Sequence, residues 1–299
     1  MASTTRRSRR DIGEGVLAAL LLAPAGALLA LIVLFPILRL FWLSLHEVRL
    51  SEPWAGQPFV GLLNYRDIWA DSRFWRSLAH TLLITGITVP GALCVGLGLA
   101  FLANLPFRVR WPVRLALLLP WALPLVFSGL IFAWFFDTSY GVVNDVLARL
   151  GLEGPAWLSR PGPAMAAICI AIVWKTSSFC ALVLLAGLQT IPDTLHEAAA
   201  IDGAGRWQRF RHITLPLLRP AIMVALIFRT ITAIQTFDIP FAMTRGGPGD
   251  ATETLAMYVR TTTLDFLDFG YGSALAVVMF LISMAATAWY LRWIRGTSE

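Results

Sequence analysis

The sequence predicts an all-α, polytopic membrane protein with six transmembrane helices. Three observations carry that prediction. Of 299 residues 57% are hydrophobic, only 14% are charged, and the apolar residues gather into six long blocks divided by short polar loops. A soluble domain carries roughly 25% charged residues, so a water-facing surface of ordinary composition is excluded. The mean hydropathy of +0.69 agrees.

The blocks are residues 16–38, 78–103, 113–136, 164–188, 217–237 and 271–294. Each reaches the ~20 residues that cross ~30 Å of hydrocarbon as helix. The first is too long for the apolar part of a cleavable signal peptide and reads as a retained signal anchor. The loops are too short for an appended soluble domain. The organisation expected is a tail at 1–14, a six-helix domain at 15–295 containing a loop at 190–216, and a tail at 296–299.

Arginine asymmetry sets the orientation. With the amino terminus in the cytoplasm, thirteen basic residues fall inside and nine outside, so both termini are expected to be cytoplasmic. Topology thus accounts for the net charge of +6, and no nucleic-acid surface is called for. The external loops are 46–76, 137–162 and 241–269. Trp42, Trp54, Trp69, Trp75, Trp121, Trp289 and Trp293 lie near block ends, where indole rings anchor at the membrane interface. Cys94, Cys169 and Cys180 sit in apolar runs without metal-ligand spacing and read as core residues.

The loop EAAAIDGAGRWQRFRHITLPLLRP, residues 197–220, is the most informative stretch. Pro192 followed by Thr194-Leu195-His196-Glu197 has capping-box spacing and predicts a helix over about 193–202. Ala198, Ala199 and Ala200 favour helix. Gly203 and Gly205 allow a turn. An amphipathic piece with Trp207, Phe210 and Ile213 follows, and Pro216 and Pro220 shape the start of the fifth span. Glu197 has a bland reading as a simple cap, and the arginine-aromatic piece as a helix lying on headgroups.

Two charges lie inside spans, Lys175 and Arg229. Each costs ~2.5–3.5 kcal/mol on insertion scales and is expected to face the bundle interior, a cavity or a partner. Lys175, beside Trp174, either pairs with a partner-subunit carboxylate or lines a pathway. Arg229 either snorkels or does the same.

The loop as a whole, with Glu197-Ala198-Ala199, Asp202-Gly203-Ala204, Phe210, Leu215-Pro216 and Pro220 in register, resembles the coupling loop of the membrane subunits of bacterial ABC importers. Residues 114–141 (RLALLLPWALPLVFSGLIFAWFFDTSYG), Val173-Trp174-Lys175-Thr176, 184–192 (LLAGLQTIP) and Gly246-Gly247-Pro248 with Thr252-Glu253-Thr254-Leu255 and Tyr258 resemble the carbohydrate branch. The resemblance covers most of residues 60–290. Within that branch it is similar to the first-encoded permease of maltose, trehalose and glycerol-phosphate type systems, without the extra spans and large external domain of the larger maltose permease.

The resemblance implies a type I importer permease fold and a non-catalytic subunit in the bacterial cytoplasmic membrane. It implies a second permease as heterodimer partner, two ATP-binding subunits and an external substrate-binding protein. Glu197, Ala198, Ala199, Asp202, Gly203, Ala204, Trp207 and Phe210 would contact an ATP-binding subunit. Trp174, Lys175, Arg229, Gln235, Phe237 and Asp238 are the candidate substrate pathway; an amide, an aromatic face and a carboxylate suit sugar hydroxyls. Di- or oligosaccharides are the expected substrates, with glycerol 3-phosphate or glycerophosphodiesters as the alternative.

No Gly-x-x-x-x-Gly-Lys-Ser/Thr is present, Lys175 being the only lysine. ATP and Mg therefore belong to partner subunits and no cofactor to this chain. A self-contained secondary transporter is the rival of another class. Such proteins place ion-binding carboxylates near the midplane, and no acidic residue falls near a span centre here.

Overall fold

The computed structural model describes residues 14–105 and 111–296. The expected tails at 1–14 and 296–299 lie almost wholly outside the described residues. Helix α1 (Glu14–Leu29) continues through a π turn at Ala30–Leu34 into α2 (Phe35–Ser44), making one span. A loop and the short α3 (Leu63–Ala70) lead to α4 (Ser72–Asn104), the second span. The third block forms α5 (Trp111–Ala122) and α6 (Leu125–Phe135); α7 (Val142–Arg149) lies in the loop that follows. Helix α8 (Pro161–Gln189) is the central span. The loop helix α9 (Asp193–Ile201) follows, then α10 (Arg206–Arg209), which runs through a π turn at Phe210–Thr214 into α11 (Leu215–Ile234). Two short helices, α12 (Asp238–Thr244) and α13 (Leu255–Arg260), precede α14 (Phe269–Gly296).

Five helices are long and apolar enough to cross a membrane, or six when α5 and α6 count as one span. That pair is the main departure from the expected pattern: the block at 113–136 is bent by 97°. Pro124 supplies the reason. It has no N–H to bond the Pro120 carbonyl four residues back, so the helix stops and restarts. Pro124 takes an extended ψ of 143° and becomes the N-cap of α6. The fifth span also differs. Its helix runs from Arg206 through the π turn, with Pro216 in the first turn of α11, and ends at Ile234, so Gln235 and Phe237 lie beyond it.

Helix α8 is buried along most of its length by α4, α5 and α11. Small residues set these approaches, as between helices in membranes. A Cβ added at Gly96 would lie 2.5 Å from the Cys180 Cβ, and one at Gly187 2.6 Å from the Ala221 Cβ. This face of α4 carries Ala92, Gly96 and Ala100 inward. Cys94 points the other way and is exposed, which corrects the expectation of three core cysteines; Cys169 and Cys180 are buried.

A polar clamp fixes the loop before α13 against the start of α4. The Arg73 guanidinium donates to both Glu253 carboxylate oxygens at 2.9 and 2.7 Å, and Ser77 donates to Glu253 at 3.3 Å. Leu255 N–H donates to Thr81 Oγ1 at 2.8 Å. Asp71, the N-cap of α4, accepts from the hydroxyls of Tyr258 and Tyr271.

Candidate functional site

The break between α5 and α6 opens one wall of a cavity of ≈ 660 Å³. The other walls come from α8, from α11, and from the segment 235–239 that links α11 to α12. Five of the six pathway candidates line it: Lys175, Arg229, Gln235, Phe237 and Asp238. Trp174 does not. Its ring tilts against Phe132 at 5.2 Å and packs on the core cluster that includes Phe132, Phe136 and Ile168.

Lys175 is 5% exposed and donates three hydrogen bonds from Nζ, to the carbonyls of Pro120 (2.6 Å), Trp121 (2.8 Å) and Leu123 (2.6 Å). A helix end leaves carbonyls without intrahelical donors, and a cation is favourable there. Lys175 therefore caps the broken span. Its three N–H donors are all used. Among the described residues no carboxylate pairs with Lys175, and of its two expected placements the structure bears on the pathway one, since Lys175 lines the cavity.

Arg229 is 4% exposed and does not snorkel. Its Nη1 donates to Thr232 Oγ1 at 2.8 Å and its Nη2 to Thr88 Oγ1 at 3.3 Å, while Nε has no partner. Gln235 is exposed to the cavity, Asp238 is half-buried as the first residue of α12, and the Phe237 ring stacks on Phe241 at 4.9 Å. Sequence reasoning missed Trp121, Thr176, Phe179, Phe228 and Thr232, which also line it. Trp121, expected only near a block end, also lines the cavity. The proline pair Pro120 and Pro124, one helical turn apart, was the readable signal for the break.

In the loop, α9 forms over Asp193–Ile201, near the expected bounds. The capping box is not made: Pro192 is the N-cap, so Thr194 falls inside the first turn. Glu197, Ala198, Asp202, Gly203 and Trp207 are exposed, and Ala199, Ala204 and Phe210 are half-buried. Gly203 adopts a φ of +81°, which glycine tolerates. Gly205 keeps an ordinary φ of −67°, and its N–H donates to Gln208 Oε1 at 2.7 Å. Phe210 ties the loop to the bundle through Phe101 at 5.8 Å. Ile201, 88% exposed, adds an apolar knob that sequence reasoning did not single out. Ile201 at the end of α9 and Trp207 on α10 thus leave two large apolar side chains exposed on a loop rooted by Phe210.

A polytopic bundle with a broken span beside a cavity lined by two cations, an amide and a carboxylate fits a membrane-transport subunit. The family of binding-protein-dependent transport system inner membrane components matches residues 92–297, and the chain belongs to that family. It is a multi-pass permease subunit of an ABC importer. The chain is 62% identical over 285 residues to the sulfoquinovosyl glycerol transport system permease protein of Agrobacterium fabrum, covering 95% of this chain and 92% of that protein. It is 39% identical to the trehalose/maltose transport system permease protein of Thermococcus litoralis, covering 95% and 96%. In fold it matches a chain of a bacterial alginate ABC transporter, solved in complex with an alginate pentasaccharide-bound periplasmic protein. The TM-score is 0.83 at 21% identity, over 98% of this chain and 99% of that one.

Proposed function

We propose that this chain forms half of the translocation path of an ATP-driven carbohydrate importer. The cavity at the break between α5 and α6 carries that reading. It lies among spans rather than at a loop surface, and its lining offers an amide, aromatic rings, hydroxyls and a carboxylate. Those groups serve a hydroxyl-rich ligand, which needs directional hydrogen bonds and apolar ring contact. The substrates named for the similar permeases support a sugar or glycoside as cargo.

Glu197, Ala198, Ala199, Asp202, Gly203, Ala204, Trp207 and Phe210 form the surface that meets a separate ATP-binding subunit, which holds ATP and Mg and performs the hydrolysis. Closure of that subunit shifts the bundle between two states, each biased by nucleotide and by the loaded external binding protein. A second permease supplies the other half of the path. Both termini and the loop at 190–216 lie on the cytoplasmic side.

The test is purification of the tagged chain in mild detergent with every stoichiometric partner identified by mass spectrometry. A second polytopic permease and an ATPase are expected. Recovery of the chain alone, active in liposomes without ATP, would replace this reading with a secondary transporter.

A further inference from the structure

We infer that Arg229 is a specificity-determining residue that receives an oxyanion, such as a sulfonate, carried by the transported glycoside. The inference rests on the cavity being the substrate path and names the charge of the substrate that path admits.

Arg229 is an expensive residue whose charge nothing nearby neutralises. A guanidinium stays protonated in any protein environment, so it cannot escape burial by losing its proton. Its two observed acceptors are the hydroxyls of Thr232 and Thr88, which are neutral, and Nε is left without a partner. Among the described residues no ion pair includes Arg229. A buried charge normally has a counter-charge, and this one lines the cavity. Its planar fork matches the geometry of an oxyanion better than that of a sugar hydroxyl. Lys175, the other cation in the lining, has its three donors committed to Pro120, Trp121 and Leu123. Only Arg229 has donors left for a ligand.

The lining is also polarised. Arg229 lies five residues before the end of α11 at Ile234, about 8 Å along the helix axis at 1.5 Å per residue. Gln235 and Asp238 follow at the other end. A glycoside with an oxyanion on one end and free hydroxyls on the other fits this arrangement in one direction. The anion meets Arg229, the hydroxyls meet Gln235 and Asp238, and the Asp238 carboxylate opposes the reversed pose. A neutral sugar leaves the guanidinium uncompensated.

The experiment uses the complete complex, with the second permease, the ATPase subunits and the binding protein, in phosphatidylcholine liposomes. Uptake is measured for a glycosyl glycerol with a sulfonate at C6 and for its neutral C6-hydroxyl counterpart, in the wild type and in Arg229→Gln. The variant is expected to take up the sulfonated glycoside at least about tenfold more slowly, the loss that follows from one charge-assisted hydrogen bond. ATP hydrolysis stimulated by the loaded binding protein is measured in the same vesicles; its loss together with uptake of both glycosides reports a structural role for Arg229 and overturns the inference. Binding of each free glycoside to the wild-type complex without binding protein gives a second reading that needs no variant to fold. The sulfonated compound is expected to bind at least about tenfold tighter. Unchanged uptake in Arg229→Gln, or equal binding of the two compounds by the wild type, overturns the inference alone. A wild-type complex that accumulates neither glycoside with ATP overturns the carbohydrate reading, and this inference with it.

Discussion

Replacing Lys175 by methionine keeps an unbranched stem of similar length and deletes the ammonium. The carbonyls of Pro120, Trp121 and Leu123 then lose their donor at 2.6–2.8 Å. Hydrogen bonds to a charged group contribute about 1.5–3 kcal/mol each. Against that loss, removing a charge from a span recovers about 2.5–3.5 kcal/mol. The net destabilisation is about 2–6 kcal/mol, since three such bonds outweigh one insertion penalty. Unfolding of the purified permease pair by graded sodium dodecyl sulfate in mild detergent measures it. Lys175→Arg retains the charge but not the compact set of three donors and should fall between the two. A Lys175→Met chain as stable as the wild type, or more stable, would refute the capping role and return Lys175 to the pool of substrate-facing residues.

Further outcomes follow from other contacts. Glu253→Gln breaks the buried pair with Arg73, whose side chains are 6% and 26% exposed; unfolding should cost about 2–3 kcal/mol, below the roughly 3–5 kcal/mol of a fully buried pair. Burial raises the Asp71 carboxyl, but the hydrogen bonds from Tyr258, Tyr271 and the Arg73 backbone outweigh it and hold the group below the ordinary 3.8. Its contribution to stability is complete above that value and is lost as pH falls through the lowered one. Burial and then Asp71 push Tyr258 up to about 12 from 10.0. Its contribution is complete below 10.0 and disappears as pH rises toward about 12; phenolate absorbance during alkaline titration, compared with Tyr258→Phe, reads it directly. Gly96→Val overpacks the contact with Cys180, where even a Cβ comes within 2.5 Å, and should destabilise by about 1–3 kcal/mol in the same unfolding assay. Gly203→Pro, at a φ of +81° that proline cannot adopt, and Glu197→Lys should each reduce co-purification of the ATPase subunit while membrane insertion is unchanged. Normal recovery of that subunit with both variants would remove the coupling role from the loop.

Features set by composition over some twenty residues were legible before the structure, and features set by one atom were not. Apolar block length located all the spans, because crossing hydrocarbon demands it. Averaging over the block at 113–136 hid its 97° bend, which depends on a single missing N–H at Pro124. Lys175 was recognised as costly, yet its acceptors lie 52–55 residues away in sequence and are backbone carbonyls. No pattern of side-chain types announces those. Trp174 was grouped with Lys175 by adjacency, but neighbours on a helix point about 100° apart, and Trp174 faces the core. For Arg229, Gln235, Phe237 and Asp238, nearness in sequence at one helix end sufficed to bring them to one cavity. The capping box at Thr194–Glu197 had the right spacing, but the helix began at Asp193, one residue before Thr194.

The central claim is that the cavity bounded by Lys175, Arg229 and Asp238 belongs to a path powered by a separate ATPase. The most direct measurement is accumulation of a labelled glycoside inside liposomes that hold the complete complex. ATP is supplied on the face of the loop at 190–216 and loaded binding protein on the opposite face. The account predicts uphill accumulation that requires both and ceases when either is omitted. Accumulation by the chain alone, driven by an ion gradient and indifferent to ATP, would contradict it.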